Sequence, residues 1–143
     1  MSKISVIYWS QSGNTAAMAQ AVADGITGAG AEADIVYVSN ASVADLADTK
    51  AVALGCPAMG AEVLEESEME PFVEEFCSIA SGKTVGLFGS YGWGDGEWMR
   101  DWVSRMQAAG ATVATGEGVI ANEAPDADAI AACNELGKAL AAV

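Results

Sequence analysis

Ser10-Gln11-Ser12-Gly13-Asn14-Thr15 gathers hydroxyls, a glycine and an amide into one short stretch that follows an apolar run and precedes an alanine-rich one. Ser10, Ser12 and Thr15 bring hydroxyl donors, Gly13 lets the backbone bend without a Cβ clash, and Asn14 tolerates turn geometry. Successive N–H groups can then converge on one point. A helix starting near Thr15 would aim its unpaired N–H groups and the positive end of its dipole at that same point. The chemistry is that of a phosphate cradle. It contains no Lys or Arg, so a phosphate held there keeps its charge. The same residue types also build ordinary turns, so the reading depends on what the rest of the chain brings beside this one.

Two other stretches are unusual. Cys56-Pro57-Ala58-Met59-Gly60-Ala61-Glu62 places a flexible thioether beside a glycine and a carboxylate, and the glycine opens backbone conformations closed to other residues. Gly89-Ser90-Tyr91-Gly92-Trp93-Gly94-Asp95-Gly96 sets two large aromatics among glycines. Aromatics in such a place are best explained by something flat that they cover.

The elements needed to bring these stretches together are legible in the apolar pattern. Ile4 to Trp9 is a near-continuous apolar, β-branched run, as expected of a parallel strand covered on both faces. From Thr15 to Thr27 the residues Met18, Val22 and Ile26 recur every fourth position, and Gly28 and Gly30 supply the stop. Ala33–Val38 reads as a second strand, while Ser42 to Leu46 is too short for more than a turn or two of helix. Ala51–Gly55 is a wholly apolar third strand and Thr84–Phe88 a fourth, with a helix predicted from Met69 to Ile79 between them. A further helix covers Glu97 to Ala108. Ala111–Ala114 and Val119–Ala121 make a fifth strand broken at Thr115-Gly116, and Asp126–Ala142 a closing amphipathic helix.

Strands alternating with helices give a parallel sheet with helices on both faces. In such sheets ligands bind beyond the carboxyl ends of the strands, where the strand order reverses. The loops after strands one, three and four would meet there. A phosphate, a planar ring system and a backbone able to switch together suggest a flavin mononucleotide.

Composition narrows the alternatives. The 143 residues fit one domain, spanning 1–143, and 52% hydrophobic against 18% charged residues argues against disorder. A net charge of −14 argues against nucleic acid and anionic membranes and favours a basic partner surface. Histidine is absent, which removes the usual general base, transition-metal ligand and nucleophile activator. Cys56, Cys77 and Cys133 are widely spaced and odd in number, as expected of free thiols rather than disulfides or a metal site. Nothing at the amino terminus resembles a signal peptide and no apolar run is long enough to cross a bilayer, so the expectation is a cytoplasmic protein.

Taken in order and at this spacing, Ser-x-Ser-Gly-Asn-Thr, Gly-Cys-Pro-Ala-Met-Gly-x-Glu and Ser-Tyr-Gly-Trp-Gly-Asp-Gly-Glu-Trp resemble the flavodoxins, specifically the short-chain type of anaerobic bacteria. The resemblance runs from Ile4 to Leu140. It implies a flavodoxin-like three-layer α/β sandwich, a five-stranded parallel sheet of order 2-1-3-4-5 between helices, and one non-covalent FMN used for one-electron transfer, mainly between semiquinone and hydroquinone. The implied contact set is Ser10, Gln11, Ser12, Gly13, Asn14 and Thr15 at the phosphate, then Pro57, Ala58, Met59, Gly60, Ala61 and Glu62, then Ser90, Tyr91, Gly92, Trp93, Gly94 and Asp95. Of these the redox-tuning residues would be Met59 and Trp93 on the two ring faces, Gly60 with its carbonyl turning toward N5, and Glu62 accepting from N3. Ala61 stands where part of the family carries Asp, and Pro57 where some relatives have Ser. Asn122 and Glu123 follow the fifth strand at the same end and are candidates to approach the flavin.

The implied partners are larger redox proteins with basic docking surfaces, met by a monomeric carrier that is not itself an enzyme. Negative charge around the ring would disfavour an anionic reduced flavin. One carboxylate ~10 Å away at an effective dielectric of ~20 costs it about 1.7 kcal/mol before salt screening. A flavin-dependent reductase would need room over the ring that Trp93 fills. A receiver domain needs an acidic pair after strand one and an Asp after strand three, where this chain has Trp9-Ser10 and Gly55-Cys56. A low-molecular-weight phosphatase needs Cys and Arg framing the first loop, and both are missing there. Trp98 and Trp102, four apart, are expected to pack the sheet rather than touch a cofactor. Because the resemblance makes Gly60 the switching residue, Gly60→Ala or Gly60→Thr should lower the yield of neutral semiquinone in a redox titration; an unchanged yield would refute the switch.

Overall fold

The computed structural model describes residues 3–59, 63–92 and 94–143. In chain order the elements are β1 (Lys3–Tyr8), α1 (Asn14–Gly28), β2 (Glu32–Tyr37), β3 (Ala51–Gly55), α2 (Met69–Phe76), β4 (Thr84–Tyr91), α3 (Glu97–Ala108), β5 (Thr112–Val113), β6 (Val119–Asn122) and α4 (Ala127–Ala141). Short 3-10 turns occupy Val38–Asn40, Val43–Leu46 and Ala114–Gly116. The sheet is parallel with the order β2-β1-β3-β4-β5, and β6 also pairs with β4.

The sheet is central because its middle strand is apolar on both faces: every residue of β3 is buried. On one face α2 and α3 bury Phe72, Phe76, Trp98, Trp102 and Met106 against Val52, Leu54 and Leu87. On the other, α1 and α4 bury Met18, Val22, Ile26, Leu136 and Leu140 against Ile4, Val6 and Phe88. The three-layer α/β arrangement expected from the sequence is therefore present, and Trp98 and Trp102 are core residues, each 1% exposed.

One break falls where the sequence expects it, at Thr115-Gly116, and one strand end lies beyond its expected place; both shape the site. The fifth strand is broken where Thr115 takes a left-handed conformation, φ 63°, and resumes as β6, pairing Phe88 with Val119 and Tyr91 with Asn122. β4 in turn runs on through Gly89, Ser90 and Tyr91, beyond the apolar run that ended at Phe88, because the resumed edge strand supplies its backbone with partners.

At Gly89 the packing leaves no room for a side chain. A Cβ there would stand 2.1 Å from the Cys56 carbonyl oxygen and 3.2 Å from the Trp98 ring. That carbonyl accepts a hydrogen bond from the Trp98 indole N–H at 3.1 Å, so β3, β4 and α3 meet at one point beneath the loops. Gly89→Ala should cost about 2 kcal/mol or more, read as a lower urea midpoint at unchanged m value; a midpoint equal to the parent's would mean the strand ends have slack.

Candidate functional site

The loop between β1 and α1 is closed by its own hydroxyls. Ser10 Oγ accepts from the Gly13 N–H at 3.1 Å and the Ala16 N–H at 3.3 Å, and Ser12 Oγ accepts from the Asn14 N–H at 3.4 Å. Gly13 makes this possible with φ 94°, a conformation that a Cβ disfavours. The first turn of α1 has no acidic residue, whereas α2, α3 and α4 begin with Glu70, Glu97 and Asp128. In a chain with twenty Asp and Glu, this helix entrance is kept clear of like charge, and it is the one that opens on the cleft. Thr15 does not face the loop. Its hydroxyl lies 3.0 Å from that of Ser90, both residues buried, and fastens α1 to β4.

The other loops extend the sheet's hydrogen bonding outward. Cys56 donates its N–H to Phe88 O at 3.1 Å and Ala58 to Ser90 O at 3.0 Å. Met59 and Val63 exchange N–H···O bonds of 2.9 and 3.0 Å, an antiparallel bridge between the two legs of the second loop. Tyr91 tilts against Trp98 with ring centroids 5.6 Å apart. Glu123 donates its N–H to Tyr91 O at 2.7 Å.

Between these loops lies a cleft of about 310 Å³. Trp9, Gln11, Ser12 and Asn14 line one side, Pro57, Ala58 and Met59 a second, and Ser90, Tyr91, Gly92 and Glu123 a third. No Lys or Arg is among these lining residues. Among the described residues no group of Cys, Asp and Glu is arranged to hold a metal ion. Burial pushes the Cys56 thiol up to about 12, so it stays protonated and inert beneath the cleft.

The flavodoxin family model matches residues 6–137 of the chain. The chain belongs to the flavodoxin family. It is 46% identical over 136 residues to the flavodoxin of Clostridium beijerinckii, covering 95% of this chain and 97% of that one. It is likewise 46% identical over 138 residues to the flavodoxin of Megasphaera elsdenii, covering 96% and 98%. The solution structure of the two-electron-reduced Megasphaera elsdenii flavodoxin superposes with a TM-score of 0.89 at 45% identity, covering 98% of this chain and 99% of that one. An archaeal flavodoxin structure superposes with a TM-score of 0.84 at 27% identity, covering 99% and 97%.

Flavodoxins are flavin-binding electron carriers, and the cleft of this one suits a flavin nucleotide. Its polar corner is built of amides and hydroxyls at a helix entrance free of acids, which fits a phosphate. Its other walls, Trp9, Met59 and Tyr91, are flat or deformable and suit a ring system. Of the residues expected in the site, Gln11, Ser12, Asn14, Pro57, Ala58, Met59, Ser90, Tyr91 and Gly92 line the cleft. Ser10, Gly13 and Thr15 shape the loop from behind. Gly94 and Asp95 are not among the lining residues, and the Asp95 carboxylate pairs with Arg100 at 2.9 Å. The expectations for Gly60, Ala61, Glu62 and Trp93 lie outside the described residues. Trp9, at the junction of the first strand and the Ser/Gly turn, also lines the cleft, although it is not among the residues the resemblance implies as contacts.

Glu65 belongs to the run of acids that the sequence places about the amino end of α2, a solvated entrance by expectation, but it is buried there. Its buried carboxylate accepts from the amides of Ser67 at 2.8 Å, Glu68 at 2.7 Å and Met69 at 3.0 Å, and from the Ser67 hydroxyl. Its own N–H donates to the Cys56 thiol at 3.4 Å, so it ties the returning leg of the second loop to both the start of α2 and the end of β3. Burial by itself would raise the carboxyl, but the hydrogen bonds from Ser67, Met69 and Glu68 outweigh it and hold Glu65 below the ordinary carboxylate range. A depressed folded value means stability that is present above the unfolded value and lost as pH falls through the folded one. Glu65→Gln should therefore cost about 1 kcal/mol at neutral pH, and the gap from the parent should narrow as pH drops below about 4. Urea unfolding across that range checks it; a gap independent of pH would refute the charged cap.

Proposed function

We propose that this flavodoxin binds FMN in the cleft and carries single electrons at low potential between larger redox proteins. When bound, FMN supplies one-electron chemistry, and the step that concerns this protein lies between its half-reduced and fully reduced forms. The observation that carries the reading is the acid-free entrance of α1 opening on a cleft lined by Trp9, Met59 and Tyr91. Amides near Gln11, Ser12 and Asn14, with Ser10, Gly13 and Thr15 holding the loop, would take the phosphate. Pro57, Ala58, Met59, Ser90, Tyr91 and Gly92 would hold the ribityl chain and ring.

By resemblance, Trp93 and Met59 would cover the ring, the Gly60 carbonyl and the Glu62 carboxylate would hydrogen-bond its edge, and Ala61, Gly94 and Asp95 would complete the loops. The absence of a cation among the lining residues leaves the phosphate charge in place, and with the acids around the site it opposes further negative charge. The reading includes a monomer of one domain, in the cytoplasm, that is not an enzyme and docks basic surfaces of its partners. The free state of Cys56, Cys77 and Cys133 suits a reducing compartment.

Asn14→Asp puts a carboxylate into the first turn of α1. Apoprotein titrated with FMN, followed by flavin fluorescence, should bind it tightly, and the variant should bind it at least tenfold more weakly, about 1.4 kcal/mol. Riboflavin, which lacks the phosphate, should not distinguish the two. Equal losses for both ligands would place the phosphate elsewhere, and no binding of FMN by the unaltered apoprotein would refute the function.

A further inference from the structure

Among the described residues two non-glycines have positive φ, Thr115 and Glu123. Thr115 sits at the break between β5 and β6. Glu123, at φ 58°, is the first residue beyond β6, and its N–H is held by Tyr91 O at 2.7 Å, directly after the Tyr91–Asn122 pair that ends the ladder. Glycine takes this conformation freely and Asn with little penalty, whereas Glu does not. The Tyr91 carbonyl holds this disfavoured backbone in place, and backbones so held cluster at functional sites. The residue is exposed and lines the cleft, where it is the one carboxylate among the described lining residues. The chain therefore keeps acids away from one wall of the cleft, at the entrance of α1, and presents one on the wall formed by β4 and β6.

We infer that Glu123 is a potential-setting residue: the left-handed turn after β6 presents its carboxylate to the cleft so that it opposes the negative charge added when the bound flavin is fully reduced. The inference rests on the FMN reading above. Tyr91 links the two roles of this residue, because its carbonyl fixes the Glu123 backbone while its ring forms part of the same wall. Among the described lining residues no Lys or Arg stands to cancel the carboxylate, and water and salt screen it.

Glu123→Gln removes the charge and keeps the backbone demand, and Glu123→Asn removes the charge and relaxes that demand. Asp48→Asn makes the same change in net charge at an exposed position just ahead of β3, at the opposite end of the sheet. In Glu123→Gln the fully reduced flavin should gain affinity over the half-reduced form by about fivefold, allowing for screening, which is a rise of about 40 mV in that one-electron potential. Affinity for oxidised FMN should change by less than about twofold, because no charge is added in that form. Glu123→Asn should give the same redox shift and a higher urea midpoint for the apoprotein, and Asp48→Asn should leave the potential within about 10 mV of the parent, as its charge is screened. A potential in Glu123→Gln no different from that in Asp48→Asn overturns the inference while FMN binding stands. So does a shift in Glu123→Asn that Glu123→Gln lacks, since it would belong to the backbone. Failure of the unaltered apoprotein to take up FMN overturns the cofactor reading and this inference together.

Discussion

The backbone N–H groups at the amino end of α1 set the terms for the rest of the site. They are the attraction this chain offers an anion there, since neither the loop nor the first turn contains Lys or Arg, and a helix terminus is equivalent to only about half a positive charge. Such a weak field works only where nothing competes with it. The Ser10 and Ser12 hydroxyls accept from loop amides and fix their directions, Gly13 turns the chain, and the acids that open the other helices are missing here. Thr15 and Ser90 serve the same end from within, because their buried hydroxyl contact sets where α1 starts relative to β4.

The second loop is built on the opposite plan, with its support in the protein interior. Its outgoing leg continues the sheet through the bonds from Cys56 and Ala58 to β4. The returning leg is tied by Glu65 to α2 and to the Cys56 thiol, and the mutual bonds of Met59 and Val63 join the legs. Only Gly60, Ala61 and Glu62 stand between those two residues in the sequence. Met59 is thus carried by a frame with several independent fastenings. The Trp98 indole, bonded to the Cys56 carbonyl, connects that frame to the helix that follows the third loop.

What could be read from the sequence follows the same physical division. The β3 core strand, the amphipathic helices and the break at Thr115-Gly116 were legible because burial and backbone preference act through residue type. The outward extension of β4 was not, since Gly89-Ser90-Tyr91 carries the chemistry of a turn and becomes strand only when β6 supplies partners. Thr15 reads as a phosphate donor because a hydroxyl is equally at home facing a phosphate or another hydroxyl, and only packing sets it against Ser90. Glu65 was hidden among neighbouring acids, of which Glu66 is exposed and Glu68 and Glu70 half-buried, and nothing in its type marks the one that turns inward. The positive φ of Glu123 arises from the meeting of β6 with Tyr91, a contact distant in sequence.

The large negative charge of the chain acts on the site less than its size suggests. Screening at physiological salt has a length of about 8 Å, shorter than the span of β4, whose eight residues at ~3.3 Å each reach about 26 Å. Acids at the far end of the sheet therefore contribute little at the cleft. Among the described residues the charges that line the cleft are few: a partial positive one at the entrance of α1 and the carboxylate of Glu123. Each acts through protein as well as water, where interactions are stronger. If FMN sits as proposed, its anchor would depend on backbone that most substitutions leave intact and its potential on side chains that a single substitution can change, so reducing power could be adjusted without loss of the cofactor.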